Sequence, residues 1–114
     1  PPSRLSMVAG GAPAMAAISR IHADTYFMGA TGVHAEAGLT TGDAEEAEIK
    51  RALMAAAAET VVLASSEKLG AASAWVVSPL ADATQLLVAP QAPEQALAPL
   101  RAAGLAILRA DEAG

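Results

Sequence analysis

Cysteine is absent from the 114-residue sequence, so neither a disulfide framework nor a thiolate metal site can form. A reducing compartment fits that absence, and a cytoplasmic location is the expectation. Aromatic residues are almost as scarce, at one Trp, one Tyr and one Phe, which leaves an aliphatic core of Leu, Val, Ile and Met. Basic residues number 7 against 12 acids, for a formal charge of -5 and a pI near 4.8. A surface that neutralises DNA phosphates needs the opposite balance, so these residues are not expected to grip nucleic acid themselves. No apolar run reaches the ~18 residues of a membrane-spanning helix. The opening PPSRLSMVAGG shows no basic-then-apolar signal peptide and no initiator Met, and it reads as an excised piece of something longer.

What is present is hydrophobic side chain, at 54% of residues against 17% charged, a composition for a compact fold rather than for disorder. Alanine alone supplies roughly a quarter of the chain, which favours helices packed closely on a sheet. The length suits one domain.

Short apolar runs alternate with helical patterns, the signature of βαβ units and a mainly parallel sheet. Leu5 to Val8 reads as a strand. Ala14 to Ile21 reads as a helix with Met15, Ile18 and Ile21 on one face. Thr25 to Met28 reads as a strand running into a loop that lasts from Gly29 to about Gly42. The next helix has the clearest start: Asp43 and Glu46 have capping-box spacing, and Glu45, Glu46 and Glu48 sit near the positive end of its dipole. Its buried stripe is expected at Ile49, Leu53, Ala56 and Ala57, with Lys50 at the edge of the stripe and Arg51 nearly opposite. Thr60 to Ala64 reads as a central strand covered on both faces, ending in the polar loop Ser65 to Gly70. Ala74 to Val77, Gln85 to Val88, a helix from Pro93 to Ala103 and a strand Leu105 to Leu108 complete the alternation.

Ligands of parallel sheets bind at the carboxyl ends of the strands. The Gly29 to Gly42 and Ser65 to Gly70 loops lie at such ends. If their strands are neighbours, Thr31, Gly32, Thr40 and Thr41 face Lys68 across a crevice, and glycine N–H groups, hydroxyls and a lysine suit a phosphate. Each residue also has a plain structural reading. Gly29 and Gly32 can simply shape a turn, Thr40 and Thr41 can serve helix entry, Lys68 can be solvated, and Lys50 can pair with Glu46. The spacings GxGxxG, GxxxxGK[ST] and GxSxG do not occur. His22 and His34 stand on different elements without a partner at ligand spacing, so no metal is expected. Trp75 and Tyr26 are expected in the core.

Taken together, FMGATGVHAEAGLTTGDAEEAEIKRALM and VVLASSEKLG resemble the C-terminal sensor domain of the DeoR family of bacterial transcriptional regulators. That family reads F-x-G-A-x-G-[IV], G-L-T-T, E-A-x-x-K-R-A-M and D-S-S-K-F-G in turn. The likeness covers the chain from about Leu5 onward. Ser65, Glu67, Leu69 and Ala89 depart from the pattern, standing where the family has Asp, Ser, Phe and commonly Asp.

The resemblance implies an open, mainly parallel, Rossmann-like α/β sheet similar to ribose-phosphate isomerase-type sugar-phosphate domains. In that frame residues 1–114 are a partial sensor domain lacking its N-terminal part, and the winged helix-turn-helix is absent. It implies that Gly29, Thr31, Gly32, Thr40, Thr41, Lys50 and Lys68 bind a phosphorylated sugar effector. No cofactor, catalytic residue or metal is implied. DNA is contacted only through the absent domain, no membrane is involved, and a homo-oligomer is expected. Two alternatives stand beside the sensor: an isomerase-like enzyme, and an oligomerisation scaffold with a decayed ligand site. Aligned on the Lys68 loop, the related isomerases place their basic glutamate near Lys50. A cation there cannot take a proton at neutral pH unless its pKa falls by several units.

Overall fold

The computed structural model describes residues 11–110. The strand expected at Leu5 to Val8 lies outside them. Three helices, α1 (Gly11–Ile18), α2 (Ala44–Ala56) and α3 (Glu94–Ala102), accompany seven strands: β1 (Ala23–Gly29), β2 (Gly32–His34), β3 (Gly38–Thr41), β4 (Ala57–Ala64), β5 (Trp75–Ser78), β6 (Gln85–Val88) and β7 (Ile107–Arg109).

Four strands form one parallel sheet in the order β1-β4-β6-β7, the open Rossmann-like α/β arrangement expected from the alternation. The two strands whose loops were to share a crevice are direct neighbours, with Gly29 opposite Leu63. Residues one apart on a strand point to opposite faces, so the register sorts the side chains into two sets. Met28, Val62, Leu86 and Val88 share a face, are at most 1% exposed, and join Ala47 of α2 and Leu97 and Leu100 of α3 in one core. Phe27, Val61, Leu63, Leu87 and Leu108 share the other. There Phe27 is 62% and Leu63 40% exposed, so among the described residues β4 is covered on one face only, not on both as its apolar run suggested.

The stretch expected as a loop from Gly29 to Gly42 is a hairpin. β2 and β3 pair antiparallel, and β5 adds to β3 to give a second sheet in the order β2-β3-β5. Short antiparallel strands in a Gly-Thr-rich segment give a weak alternation signal, and this one is buried throughout β3. Glycine is required at two places in it. A Cβ on Gly32 would meet the Ala71 carbonyl oxygen at 2.4 Å and Thr40 Oγ1 at 2.5 Å, and Gly38 has φ +84° with the Ser78 carbonyl oxygen 2.4 Å from its would-be Cβ.

Helix α2 starts as its sequence dictates: the Asp43 carboxylate accepts from the Glu46 N–H at 2.8 Å. Its buried residues are Ala47, Ile49 and Leu53; the chain turns at Ala57 into β4, so that alanine is not on the helix. Helix α1 begins at Gly11 and ends at Ile18, earlier than expected at both ends, and Ile18 packs with Ile49 and Leu53 in a second apolar cluster. Trp75 is a correction: it stands on an edge strand, half exposed, whereas Tyr26 packs against both clusters.

Candidate sensor site

The carboxyl ends of β1 and β4 lie side by side, and the segments leaving them are tied together. After β4 the chain makes a single 3-10 turn, Ser66–Lys68, closed by the Lys68 N–H on the Ser65 carbonyl at 2.9 Å. It then runs along β2, where the Gly70 N–H donates to the Val33 carbonyl at 2.7 Å. Further on, the Ser73 N–H donates to Thr40 Oγ1 at 2.8 Å, and the Ser73 hydroxyl lies 2.6 Å from that of Thr31. The two loops singled out in the sequence are thus one structural unit. The absent Cβ of Gly32 is what allows the approach.

The residues expected at the site divide into two groups. Thr31 and Gly29 are exposed. Thr40 and Thr41 are 0% and 1% exposed, and their hydroxyls are used internally. Thr41 donates to Glu46 Oε1 at 2.6 Å, which binds the end of the hairpin to the first turn of α2 and bears out helix entry as one of its duties. Thr40 accepts from Ser73.

The cations divide as well. Lys50 does not pair with Glu46; its ammonium donates to the Gly29 carbonyl at 2.6 Å, at the carboxyl end of β1. Burial pushes its pKa below the ordinary 10.5, and the nearby Glu46 charge partly opposes that shift. Arg51, placed on the far side of the helix by the wheel, instead reaches β5, donating to the Val76 and Val77 carbonyls at 2.9 Å each while pairing with Glu48. A helical wheel counts angles about one axis and cannot show that a strand of a second sheet lies alongside.

Lys68 is half-buried and makes no side-chain hydrogen bond or ion pair with the described residues. Its neighbour Glu67 accepts from the Ser65 hydroxyl at 2.8 Å; that bond, its own backbone N–H and the Lys68 charge hold the carboxyl below its usual pKa. Arg51, Arg101 and Arg109 have carboxylate partners. Lys50 and Lys68 have none within ion-pair distance among the described residues, and both stand at the carboxyl ends of adjacent parallel strands. The Glu46 charge acts on Lys50 and the Lys68 charge on Glu67, and the Thr31 and Ser73 hydroxyls stand on the same joined segments. Ser73 is the member that sequence reading missed. Nothing in AASAW marks it, because its partner is 42 residues away.

No group of three or more metal-capable side chains occurs among the described residues. His34 Nδ1 accepts from the Glu36 and Ala37 N–H groups at 3.1 and 3.0 Å and so staples the β2-β3 turn. Two shallow depressions elsewhere, about 350 Å³ between α1 and α2 and about 290 Å³ beside Arg51 and Asp82, include neither lysine.

Residues 3–89 match the family model described as the DeoR C-terminal sensor domain. The chain belongs to that family. The DeoR sensor domain is the effector-sensing part of a transcriptional regulator, and the paired loops, the capped helix and both lysines all fall inside the matched residues. A curated relative, described as an uncharacterized HTH-type transcriptional regulator FruR of Bacillus subtilis (strain 168), is 37% identical over 81 residues. The match takes in 71% of this chain and 32% of that protein, so this DeoR sensor domain spans about a third of its relative's length. Among the described residues no helix is long and apolar enough to cross a membrane.

Proposed function

We propose that this sensor domain binds a phosphorylated sugar, or a small phosphorylated metabolite of similar size, and that occupancy controls DNA binding by a linked helix-turn-helix domain. The observation that carries the reading is the placement of Lys50 and Lys68, neither ion-paired among the described residues, at the carboxyl ends of adjacent parallel strands. A phosphate ester there replaces water around two ammonium groups and meets the Thr31 and Ser73 hydroxyls. Gly29 lies beside the anion through its carbonyl's hold on Lys50. Gly32, Thr40 and Thr41 shape the wall by fixing the hairpin against the Lys68 segment.

Signalling needs only that the ligand bind one arrangement of the regulator better than another. No bond is made or broken. The Lys50 side chain donates to the Gly29 carbonyl, whereas a general base must be free to accept a proton, which supports sensing over isomerisation. Assembly as a homo-oligomer belongs to the same proposal.

Thermal unfolding with and without ligand is the test. Sugar phosphates at about a hundred times Kd add roughly 2.7 kcal/mol, a rise of several degrees in Tm for a domain of this size, while the free sugars add nothing. Equal response to sugar and sugar phosphate, or turnover of the ester, contradicts the proposal.

A further inference from the structure

Each lysine of the site has a carboxylate whose charge it feels, Glu46 for Lys50 and Glu67 for Lys68, and the two acids are not alike. Glu46 is engaged within the fold: its Oε1 accepts from the Thr41 hydroxyl at 2.6 Å, in the first turn of α2. Glu67 is exposed and is held from within its own turn, where the Ser65 hydroxyl donates to Oε2 at 2.8 Å and its own N–H is a second donor. Ser65 directly follows β4, just beyond Leu63, and Leu63 stands opposite Gly29, whose carbonyl holds Lys50. The tether thus draws a side chain that would otherwise sweep through water back to the carboxyl end of the central strand. There it stands next to Lys68 in sequence and beside the strand end that Lys50 reaches.

What such a carboxylate recognises follows from its lone pairs. It accepts and does not donate while ionised, and the bonds it receives keep it ionised at neutral pH. Those two bonds leave about two of its four acceptor sites for a ligand, enough for a pair of neighbouring sugar hydroxyls. A second phosphate has no such donors at neutral pH and meets like charge instead.

Among the described residues no further cation is placed to offset that charge. Arg51, Arg101 and Arg109 have carboxylate partners, and Arg20 lies just before β1, at the amino end of the sheet. A phosphomonoester brings about 1.5 to 2 negative charges, which two ammonium groups match, and a bisphosphate brings about twice that. Ser65 and Glu67 both depart from the family pattern, so the tethered acceptor belongs to this chain in particular.

We infer that Glu67, steered by Ser65, is the specificity-determining residue of the site: it accepts from hydroxyls of the sugar and turns away a second phosphate, so the effector is a monophosphorylated polyhydroxy compound. This rests on the phosphate site proposed above. Isothermal titration on the protein as encoded by its gene, and on Glu67→Ala, tests it with three probes. They are inorganic phosphate, the tightest-binding of a panel of hexose and pentose monophosphates, and the bisphosphate of the same sugar. The exposed position lets the variant keep its fold.

The parent is expected to bind the monophosphate at least roughly tenfold more tightly than the bisphosphate. In Glu67→Ala the two should come within about threefold, and the advantage of the monophosphate over inorganic phosphate should shrink about tenfold. Inorganic phosphate itself should bind as tightly as before or more so. A merely structural role would weaken all three probes together, and plain repulsion of anions would strengthen all three. Either uniform change, unaltered preferences in the variant, or a parent that favours the bisphosphate overturns the inference and leaves the phosphate site standing. A parent that binds none of the three probes removes the site, and the inference with it.

Discussion

The Lys50 ammonium donates to the Gly29 carbonyl at 2.6 Å, with no carboxylate of the described residues inside ion-pair distance. This contact joins α2 to the carboxyl end of β1 and leaves two further N–H donors on a half-buried cation. The fold gains little from the charge itself, because burial disfavours the charged form and the Glu46 charge only partly opposes that. Lys50→Met is therefore expected to change unfolding free energy by no more than about 1 kcal/mol. Phosphate-ester affinity should fall about 10- to 100-fold, the value of one charge-assisted contact. Parallel denaturation and calorimetry on the variant check both halves.

Gly32→Ala tests whether the two loops must touch. The added methyl meets the Ala71 carbonyl oxygen and Thr40 Oγ1, and the first of these is backbone that cannot rotate away. A loss of about 1–3 kcal/mol is expected from the overpacking. Hydrogen exchange at the Gly70 and Ser73 amides should quicken, since these donate across the contact to Val33 and Thr40. Gly29→Ala, where nothing lies within 4 Å of the would-be Cβ, is the control and should be well tolerated.

Arg51 holds the second sheet to α2 through two carbonyls of edge strand β5. Truncation by Arg51→Ala removes both bonds and is expected to cost about 1–3 kcal/mol by urea denaturation. It also leaves the Trp75-Val76 edge, each side chain 50% exposed, without its charged cover. Faster aggregation on light scattering should accompany the loss of stability.

Tyr26 makes alkaline stability a readout of the core. Burial, aided by the Glu46 charge, pushes its pKa up from 10.0 to about 12. A raised folded-state pKa contributes stability that is fully present below pH 10 and is lost as pH rises through about 12. Allowing for partial exposure, the swing is about 1–2 kcal/mol. Lys50 acts in the opposite sense: its lowered pKa means that stability rises as pH approaches 10.5. Tyr26→Phe should flatten the fall between pH 10 and 12 relative to the parent protein, as followed by circular dichroism at fixed urea.

Local signals predicted the local structure well. Asp43 and Glu46 specified the start of α2, and the runs at Thr60 and Gln85 specified neighbouring strands of one parallel sheet. The antiparallel hairpin was not legible, because β2 and β3 have three and four residues and are buried without alternation. Of the proposed site, Thr31 and Lys68 could be named from their place at strand ends and Lys50 from the family resemblance. The burial of Thr40 and Thr41, the reach of Arg51 and the part played by Ser73 could not, since each depends on a partner brought near by the second sheet. The exposed Phe27 face was equally hidden: an apolar strand states that it wants cover without saying which chain provides it.

The central claim is that two lysines at the carboxyl ends of adjacent strands, Lys50 from α2 and Lys68 from the turn after β4, form one anion site. Isothermal titration of a sugar phosphate into the protein, into Lys50→Met, into Lys68→Met and into the double variant measures it most directly. The account predicts that each single change weakens binding about tenfold or more, with loss in the double variant smaller than the sum of the two because both contact one phosphate. Binding that survives in the double variant at the parent affinity would contradict it.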